Sequence, residues 1–181
     1  MLIKTDTNIA NLMHIVKKPG ELTRLCTLDD SLSEEQLISW VEKFYHSPFF
    51  GELSELILWH PQAKEKVFFE IYKKINGRIN VANALATLQK CPIEILTALL
   101  NFNSNHVKEH AQINLYLKNI SKYTLLDFNN LLNIHTGESS LDIAFRSILT
   151  ASDYTPKEIL LKLSNDDYEH IASKAKEKLG Q

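Results

Sequence analysis

Internal repetition is the feature of this sequence that most constrains its fold. The segments 91–101 and 155–165 align without a gap and share Pro, Glu, Ile, two Leu and Asn at the same positions. The alignment continues through Ala111 over Ala175, and a weaker copy covers 48–75. A short helical unit of this kind cannot bury its apolar stripe alone, so its copies must stack against one another.

The spacing of apolar residues predicts an all-α protein. Apolar residues recur at intervals of three and four along almost the whole chain, which is the period of a helix, and strand-like alternation is nowhere sustained. Five Gly and five Pro are few for a β or α/β domain, which needs turn glycines. We predict a helix opened by Ser33 and further helices over 7–18, 48–59, 62–75, 79–89, 93–101, 105–118, 122–133, 140–150, 156–163 and 167–178.

Capping residues mark where several of these helices begin. Ser33 and Gln36 have the spacing of a capping box, in which a hydroxyl and an amide each satisfy a backbone N–H of the other residue. Pro156 is expected at the first helical position of the repeat, where its missing N–H costs nothing. Thr155 before it and Glu158 after it are expected to form a second capping box.

The length of 181 residues suits one domain. We predict a single all-α domain over 1–181, in which antiparallel helix pairs stack as an α-solenoid over 31–181. Residues 1–30 are expected to form an irregular N-terminal cap, with a loop over 21–30. The large aromatic residues fall on helical stripes, which predicts core positions for Trp40, Trp59, Phe44, Phe68, Phe69 and Phe145.

The repeat resembles a known helical family. The segment 81–86, the Pro-x-Glu-Ile-Leu-x-x-Leu motif at 92–99 and the His-Val-x-x-x-Ala motif at 106–111 are similar to the leucine-rich repeat variant, a relative of HEAT and armadillo repeats. Lys108 and Ala172 stand where that family has Arg, and its iron–sulfur Cys cluster has no counterpart here. The resemblance implies an α-solenoid (HEAT/armadillo-like) scaffold that binds something along one face.

The charge balance argues against nonspecific nucleic-acid binding. The net charge is −2 and the pI about 6.4, whereas such binding needs several cations on one face. One cluster contains Lys64, Lys66, Lys73, Lys74 and Arg78, interrupted by Glu65 and Glu70, and Lys17-Lys18 form another. We interpret these clusters as solvated helix faces. The alternative is a nucleic-acid-binding solenoid. It is favoured if Lys64, Lys73, Lys74 and Arg78 converge on one face and if duplex binding weakens steeply with salt.

One motif has the appearance of a catalytic metal site. His106, Glu109 and His110 match H-x-x-E-H, in which two His one helical turn apart ligate zinc and Glu acts as base. The repeat aligns His106 with His170 but His110 with Lys174, so only one of the two His recurs. We therefore predict that the protein is not an enzyme and has no cofactor or metal, with a zinc enzyme as the weaker alternative.

Acidic residues cluster near predicted helix starts, where they suit the helix dipole. They also suit a rim that recognises a basic protein, which is the function we predict. The specific hypothesis is an inhibitor or immunity protein that blocks a cognate bacterial toxin. We expect a cytoplasmic protein with no membrane contact, because neither a signal peptide nor a membrane-spanning apolar stretch is recognisable. The predicted partner-binding residues are Asp29, Asp30, Glu34, Glu35, Glu52, Glu55, Asp166 and Asp167.

Overall fold

The computed structural model describes residues 1–4, 7, 11–12, 16, 18 and 20–181. These residues form α-helices and very little strand, which confirms the predicted all-α class. The helix predicted over 7–18 falls mostly on residues outside the described set. The chain divides into two compact units, Met1–Ala111 and Gln112–Gln181, where the sequence predicted one domain.

The first unit is built from helices that pack on their neighbours and on the next helix but one. Its elements are β1 (Leu2–Ile3), α1 (Glu21–Leu25), β2 (Thr27–Leu28), α2 (Glu34–Phe44), α3 (Phe50–Trp59), α4 (Glu65–Lys73), α5 (Ile79–Thr87), α6 (Ile93–Leu99) and α7 (Asn105–Asn119), within which the division between units falls. α2 packs against α3 and α4, α3 against α1 and α5, and α5 against α4 and α6. Helices that follow one another in the sequence thus pack together, and the predicted antiparallel stacking stays a prediction.

The second unit continues with a 3₁₀ turn (Ile120–Lys122) and four helices, α8 (Leu125–Ile134), α9 (Ser140–Ala151), α10 (Lys157–Leu163) and α11 (Glu169–Leu179). α11 packs against both α9 and α10. The core of this unit is formed by Ile120, Phe128, Phe145, Leu149, Ile159, Leu163, Ile171 and Ala175. Among the described residues, no helix is long and apolar enough to cross a membrane.

α2 shows how the sequence pattern becomes core. The capping box is confirmed, since Ser33 Oγ accepts the Gln36 N–H and Gln36 Oε1 accepts the Ser33 N–H. Apolar residues at helical spacing then place one face against the interior, and Trp40 and Phe44 meet edge to face with centroids 4.8 Å apart. Burying each such side chain contributes about 2 kcal/mol. The buried residues of this face are Leu37, Trp40, Val41 and Phe44.

The two strongest repeat copies have the same local structure, but the predicted proline position and cap are wrong. Pro92 and Pro156 are the N-cap residues, with φ near −60° and ψ near 145°, so α6 and α10 begin one residue later. Thr155 therefore lies before the cap, and no side-chain cap forms with Glu158. The helices end at Leu99 and Leu163, two residues before Asn101 and Asn165.

Residues 21–30, predicted as a loop within an irregular cap, contain α1 and β2, and β2 pairs in parallel with β1. The left-handed Gly20, at φ 83°, precedes α1. The carboxylate of Glu52 in α3 accepts the N–H groups of Gly20 and Leu22 at 2.9 and 2.8 Å. The helix is therefore capped by a residue about thirty positions away, which local sequence does not reveal.

Candidate functional site

Three of the predicted acidic residues come together in one pocket at the start of α2. The pocket has a volume of about 420 Å³, and we call it the acidic pocket. The capping box at Ser33 sets the direction of the first turn of α2, where the helix dipole favours carboxylates. The lining residues are Asp30, Ser31, Leu32, Ser33, Glu34, Glu35, Gln62 and Lys64.

The carboxylates of this pocket differ in how they are satisfied. Glu35 Oε2 accepts a hydrogen bond from the Ser33 hydroxyl at 2.9 Å. The carboxylate also accepts its own backbone N–H, and this bond, more than the bond from Ser33, lowers the pKa of Glu35. Glu34 is half-buried, and its Oε1 is buried with no hydrogen-bond partner among the described residues. A buried carboxylate oxygen without a donor is costly. Glu34 and Glu35, both in the lining of the pocket, are therefore satisfied to different degrees within the chain.

His60, which sequence reasoning did not identify, connects the two walls of the acidic pocket. Its buried ring accepts the Gln62 N–H at Nδ1 (3.1 Å), so Nε2 carries the proton and donates to the Asp29 carbonyl at 3.1 Å. Lys90 Nζ in turn donates to the His60 carbonyl at 3.0 Å. No motif marks His60, because two of its partners, Asp29 and Lys90, lie about thirty residues away on either side.

Asp29 lies beside the pocket but is engaged by its own turn. Its Oδ1 accepts both the hydroxyl and the backbone N–H of Ser31, at 2.8 and 3.1 Å. These bonds, the hydroxyl first, lower the pKa of Asp29. The side chain thus stays ionised while it stabilises the loop that leads to the pocket.

Glu52 and Glu55 lie on α3 and have different surroundings. Glu52 caps α1, as described above, so its carboxylate is used within the chain. Glu55 is exposed, one helical turn before Trp59.

Trp59 is 66% exposed, so its predicted core position is wrong. It is the last residue of α3 and lies outside the buried face of that helix, which includes Ile57 and Leu58. Core positions are confirmed for Trp40, Phe44, Phe68 and Phe145, and Phe69 is half-buried.

The two acidic residues of the second unit also have different surroundings. Asp166 Oδ2 lies 2.8 Å from Arg146 Nε in an ion pair of which both side chains are more than nine-tenths buried. Arg146 also donates to the carbonyls of His135 and Gly137, at 2.7 and 2.9 Å. The pair therefore fixes the loop before α9 to the loop after α10. Asp167 is exposed beside it and lines a pocket of about 200 Å³.

A chain of hydrogen bonds runs through the second unit and was not predicted. His135 bonds Tyr116 Oη through Nε2 at 2.8 Å and Asp142 Oδ1 through Nδ1 at 2.9 Å. The hydroxyl of Ser139 donates to Asp142 Oδ2, and this bond, followed by that to His135, lowers the pKa of Asp142. Because His135 is buried, we interpret this chain of hydrogen bonds as a contribution to the stability of the unit.

The H-x-x-E-H motif lies on α7, as a helical motif should. The rings of His106 and His110 have centroids 4.1 Å apart, but His110 Nδ1 bonds Asn83 Oδ1 at 2.8 Å. Burial is the main cause that lowers the pKa of His110, and the neighbouring His106 lowers it further. Among the described residues, no three His, Cys, Asp or Glu side chains are grouped to hold a metal ion. The described residues therefore supply no third ligand for the zinc site of the alternative prediction.

The predicted basic cluster divides between two places. Lys73, Lys74 and Arg78 line one pocket, whereas Lys64 lies in the acidic pocket. Lys66 is exposed on α4 outside both pockets. Lys64 therefore does not line the same pocket as the other three cations, and the nucleic-acid alternative stays a prediction.

Known proteins offer no guide to the role of these sites. No protein-family model, no curated protein and no solved structure matches the chain. The resemblance to the leucine-rich repeat variant therefore stays a prediction from the sequence, and function must be argued from the residues of this chain.

Proposed function

We propose that this protein is a noncatalytic protein-binding module that binds a basic surface of another protein through the acidic pocket. The observation that carries the proposal is that the carboxylates of Asp30, Glu34 and Glu35 line one pocket. Lys64 is the cation opposing these three carboxylates in the lining. The pocket thus has an excess of negative charge.

An arginine or lysine side chain of the partner is the group that fits this pocket. A guanidinium presents several N–H donors and forms short, charge-assisted bonds to carboxylates. The hydroxyls of Ser31 and Ser33 are already bonded to Asp29 and Glu35, so the acidic groups are held in place before binding. Such preorganisation reduces the entropy lost on association.

Trp59 supplies a second contact of the type that interfaces use. It is exposed three residues before Gln62 of the pocket, and Glu55 lies one turn away on the same helix. Tryptophan is enriched among residues that dominate binding energy, and charges around it raise the association rate. An aromatic anchor next to carboxylates suits a basic protein surface.

The finer proposal is an immunity protein that blocks a cognate bacterial toxin, built as a solenoid of stacked helix pairs. What supports the solenoid is the agreement of two repeat copies in caps and burial, together with helices that pack on the next but one. What supports an inhibitor is the acidic pocket, whose lining suits a basic surface of another protein. A basic nuclease is the toxin class that such a surface would neutralise.

The test is calorimetry against the separately purified product of the adjacent gene. We expect binding at micromolar concentration or tighter, and a Glu34→Gln/Glu35→Gln variant should weaken it about thirtyfold or more. Glu65→Gln is the matched control, because Glu65 is exposed in the first turn of α4 outside the pocket. The absence of binding at micromolar concentrations, or equal loss in the control, would overturn the proposal.

A further inference from the structure

A second concave site lies at the C-terminal end of α4, and its walls carry cations. We call it the basic pocket; it has a volume of about 370 Å³, at the lower end of the range for small-molecule sites. We propose that it binds the phosphate group of a phosphate monoester the size of a mononucleotide. The inference uses none of the residues of the acidic pocket and goes beyond the proposed function. The lining residues are Tyr45, His46, Lys73, Lys74, Asn76 and Arg78.

Arg78 is fixed in place before any ligand binds. Its two terminal nitrogens donate to the carbonyls of Lys74 and Tyr45, at 3.2 and 3.1 Å. The guanidinium carbon also lies 5.0 Å from the centre of the Phe50 ring. A cation held by three contacts loses little further freedom when an anion arrives.

Lys74 is the second ordered cation. Its ammonium lies 4.5 Å from the centre of the Tyr45 ring and 2.8 Å from Glu42 Oε1. The bond to Glu42 raises the pKa of Lys74, so the ammonium stays charged. Glu42 is exposed, and exposed ion pairs are weak, so a ligand phosphate can take its place.

The turn between α4 and α5 brings the cations together. Asn76 and Gly77 both have positive φ, at 39° and 74°, and the Arg78 N–H bonds the Ile75 carbonyl at 2.8 Å. This is the pattern of a type I′ turn, for which Asn-Gly is the preferred sequence. The tight reversal returns Arg78 to the side of Lys73 and Lys74.

The donors of the pocket match a phosphate better than a carboxylate. Lys73, Lys74 and Arg78 are donors without acceptors, and Asn76 adds an amide. Three cations exceed the single charge of a carboxylate, whereas a phosphate monoester carries nearly two charges and three acceptor oxygens. Lys73 pairs with Glu70 and Lys74 with Glu42, which leaves an excess of one positive charge, that of Arg78. A phosphate that takes the place of these two carboxylates meets all three cations.

The aromatic wall sets the size class of the ligand. The rings of Tyr45 and His46 have centroids 3.6 Å apart and form one edge of the pocket. A base or another planar group can stack on such rings while its phosphate meets the cations. The volume is that of a site for one small ligand, which is the size class of a mononucleotide.

The test is calorimetric titration of the full chain, at low ionic strength, with AMP, ribose 5-phosphate and adenosine. We expect both phosphate esters to bind with Kd of about 1 mM or tighter, and adenosine to bind far more weakly. Lys73→Ala/Lys74→Ala should weaken AMP about tenfold or more. Lys66→Ala is the matched control, since it removes an exposed charge from the same helix and should leave the Kd unchanged.

A second arm distinguishes a free monoester from nucleic acid. A short single-stranded oligonucleotide is titrated with and without a 5′-phosphate, and we expect detectable binding at this site only with the terminal phosphate. Equal binding of both would overturn the proposal in favour of recognition of the strand itself. No binding of AMP by a protein whose circular dichroism shows the native helix content would also overturn it, as would an unchanged Kd in Lys73→Ala/Lys74→Ala.

Discussion

The two best repeat copies, 79–111 and 143–175, share buried apolar positions but differ in the residues at two other equivalent positions. Ile95, Leu96, Leu99, Val107 and Ala111 in the first copy, and the equivalent residues of the second, are all buried. At two other equivalent positions the first copy has Ala82 and Phe102, whereas the second has the ion pair of Arg146 and Asp166.

The difference shows that equivalent positions of one helical frame can hold either apolar residues or an ion pair. Ala82 is a fully buried apolar residue, whereas the equivalent Arg146 places a charge in a buried position. Arg146 forms an ion pair with Asp166 and donates two hydrogen bonds to backbone carbonyls, so the second copy is held by directed polar interactions. Directed bonds specify one arrangement, but they fail badly when one partner is removed.

Arg146→Ala is expected to have the largest effect. It leaves the carboxylate of Asp166 buried and unpaired, and should lower the free energy of unfolding by about 3–5 kcal/mol. Hydrogen exchange at the amides of α9 and α10 measures this loss. The double variant Arg146→Ala/Asp166→Phe copies the first repeat and should recover about 2 kcal/mol, because no charge stays buried. A double variant no more stable than Arg146→Ala would show that the two connections are not interchangeable.

Thr155→Val should have a smaller effect of opposite sign. The hydroxyl of Thr155 is buried and has no hydrogen-bond partner among the described residues, whereas the equivalent residue of the first copy is the buried Cys91. Removing the Thr155 hydroxyl should raise the free energy of unfolding by about 1 kcal/mol, measured by urea denaturation. Thr124→Val is the control: that hydroxyl caps α8, so its loss should destabilise by about 1 kcal/mol. Destabilisation by both variants would contradict the prediction.

Asp142 should give the smallest effect, one that depends on pH. Its pKa is lowered in the folded protein by Ser139 and then His135, so its contribution is full above the unfolded pKa of about 4. That contribution is lost as pH falls through the lower, folded pKa. Thermal unfolding of wild type and Asp142→Asn should therefore converge as pH falls below about 4. A difference in thermal stability between wild type and variant that stays constant with pH would contradict this prediction. The first turn of α5 has no acidic residue, so we expect no equivalent pH-dependent contribution to stability from that helix.

Local patterns predicted the helices well, and distant contacts explain what they missed. Ser33 and Gln36 interact over one turn, so their capping box is readable from four residues. Glu52 and His60 act on residues about thirty positions away, and nothing in their own neighbourhoods marks them. The same limit applies to the site: clustering of acids near Asp30 is visible in the sequence, but the burial of Glu34 Oε1 depends on packing.

The distribution of the two tryptophans has an experimental consequence. Trp40, buried in α2, and Trp59, exposed at the end of α3, both belong to the unit Met1–Ala111, and the sequence has no other Trp. Intrinsic tryptophan fluorescence therefore reports the unfolding of that unit, whereas far-ultraviolet circular dichroism reports the helices of both. Superimposable denaturation curves from the two signals would mean a single cooperative transition, and separated curves would give each unit its own midpoint.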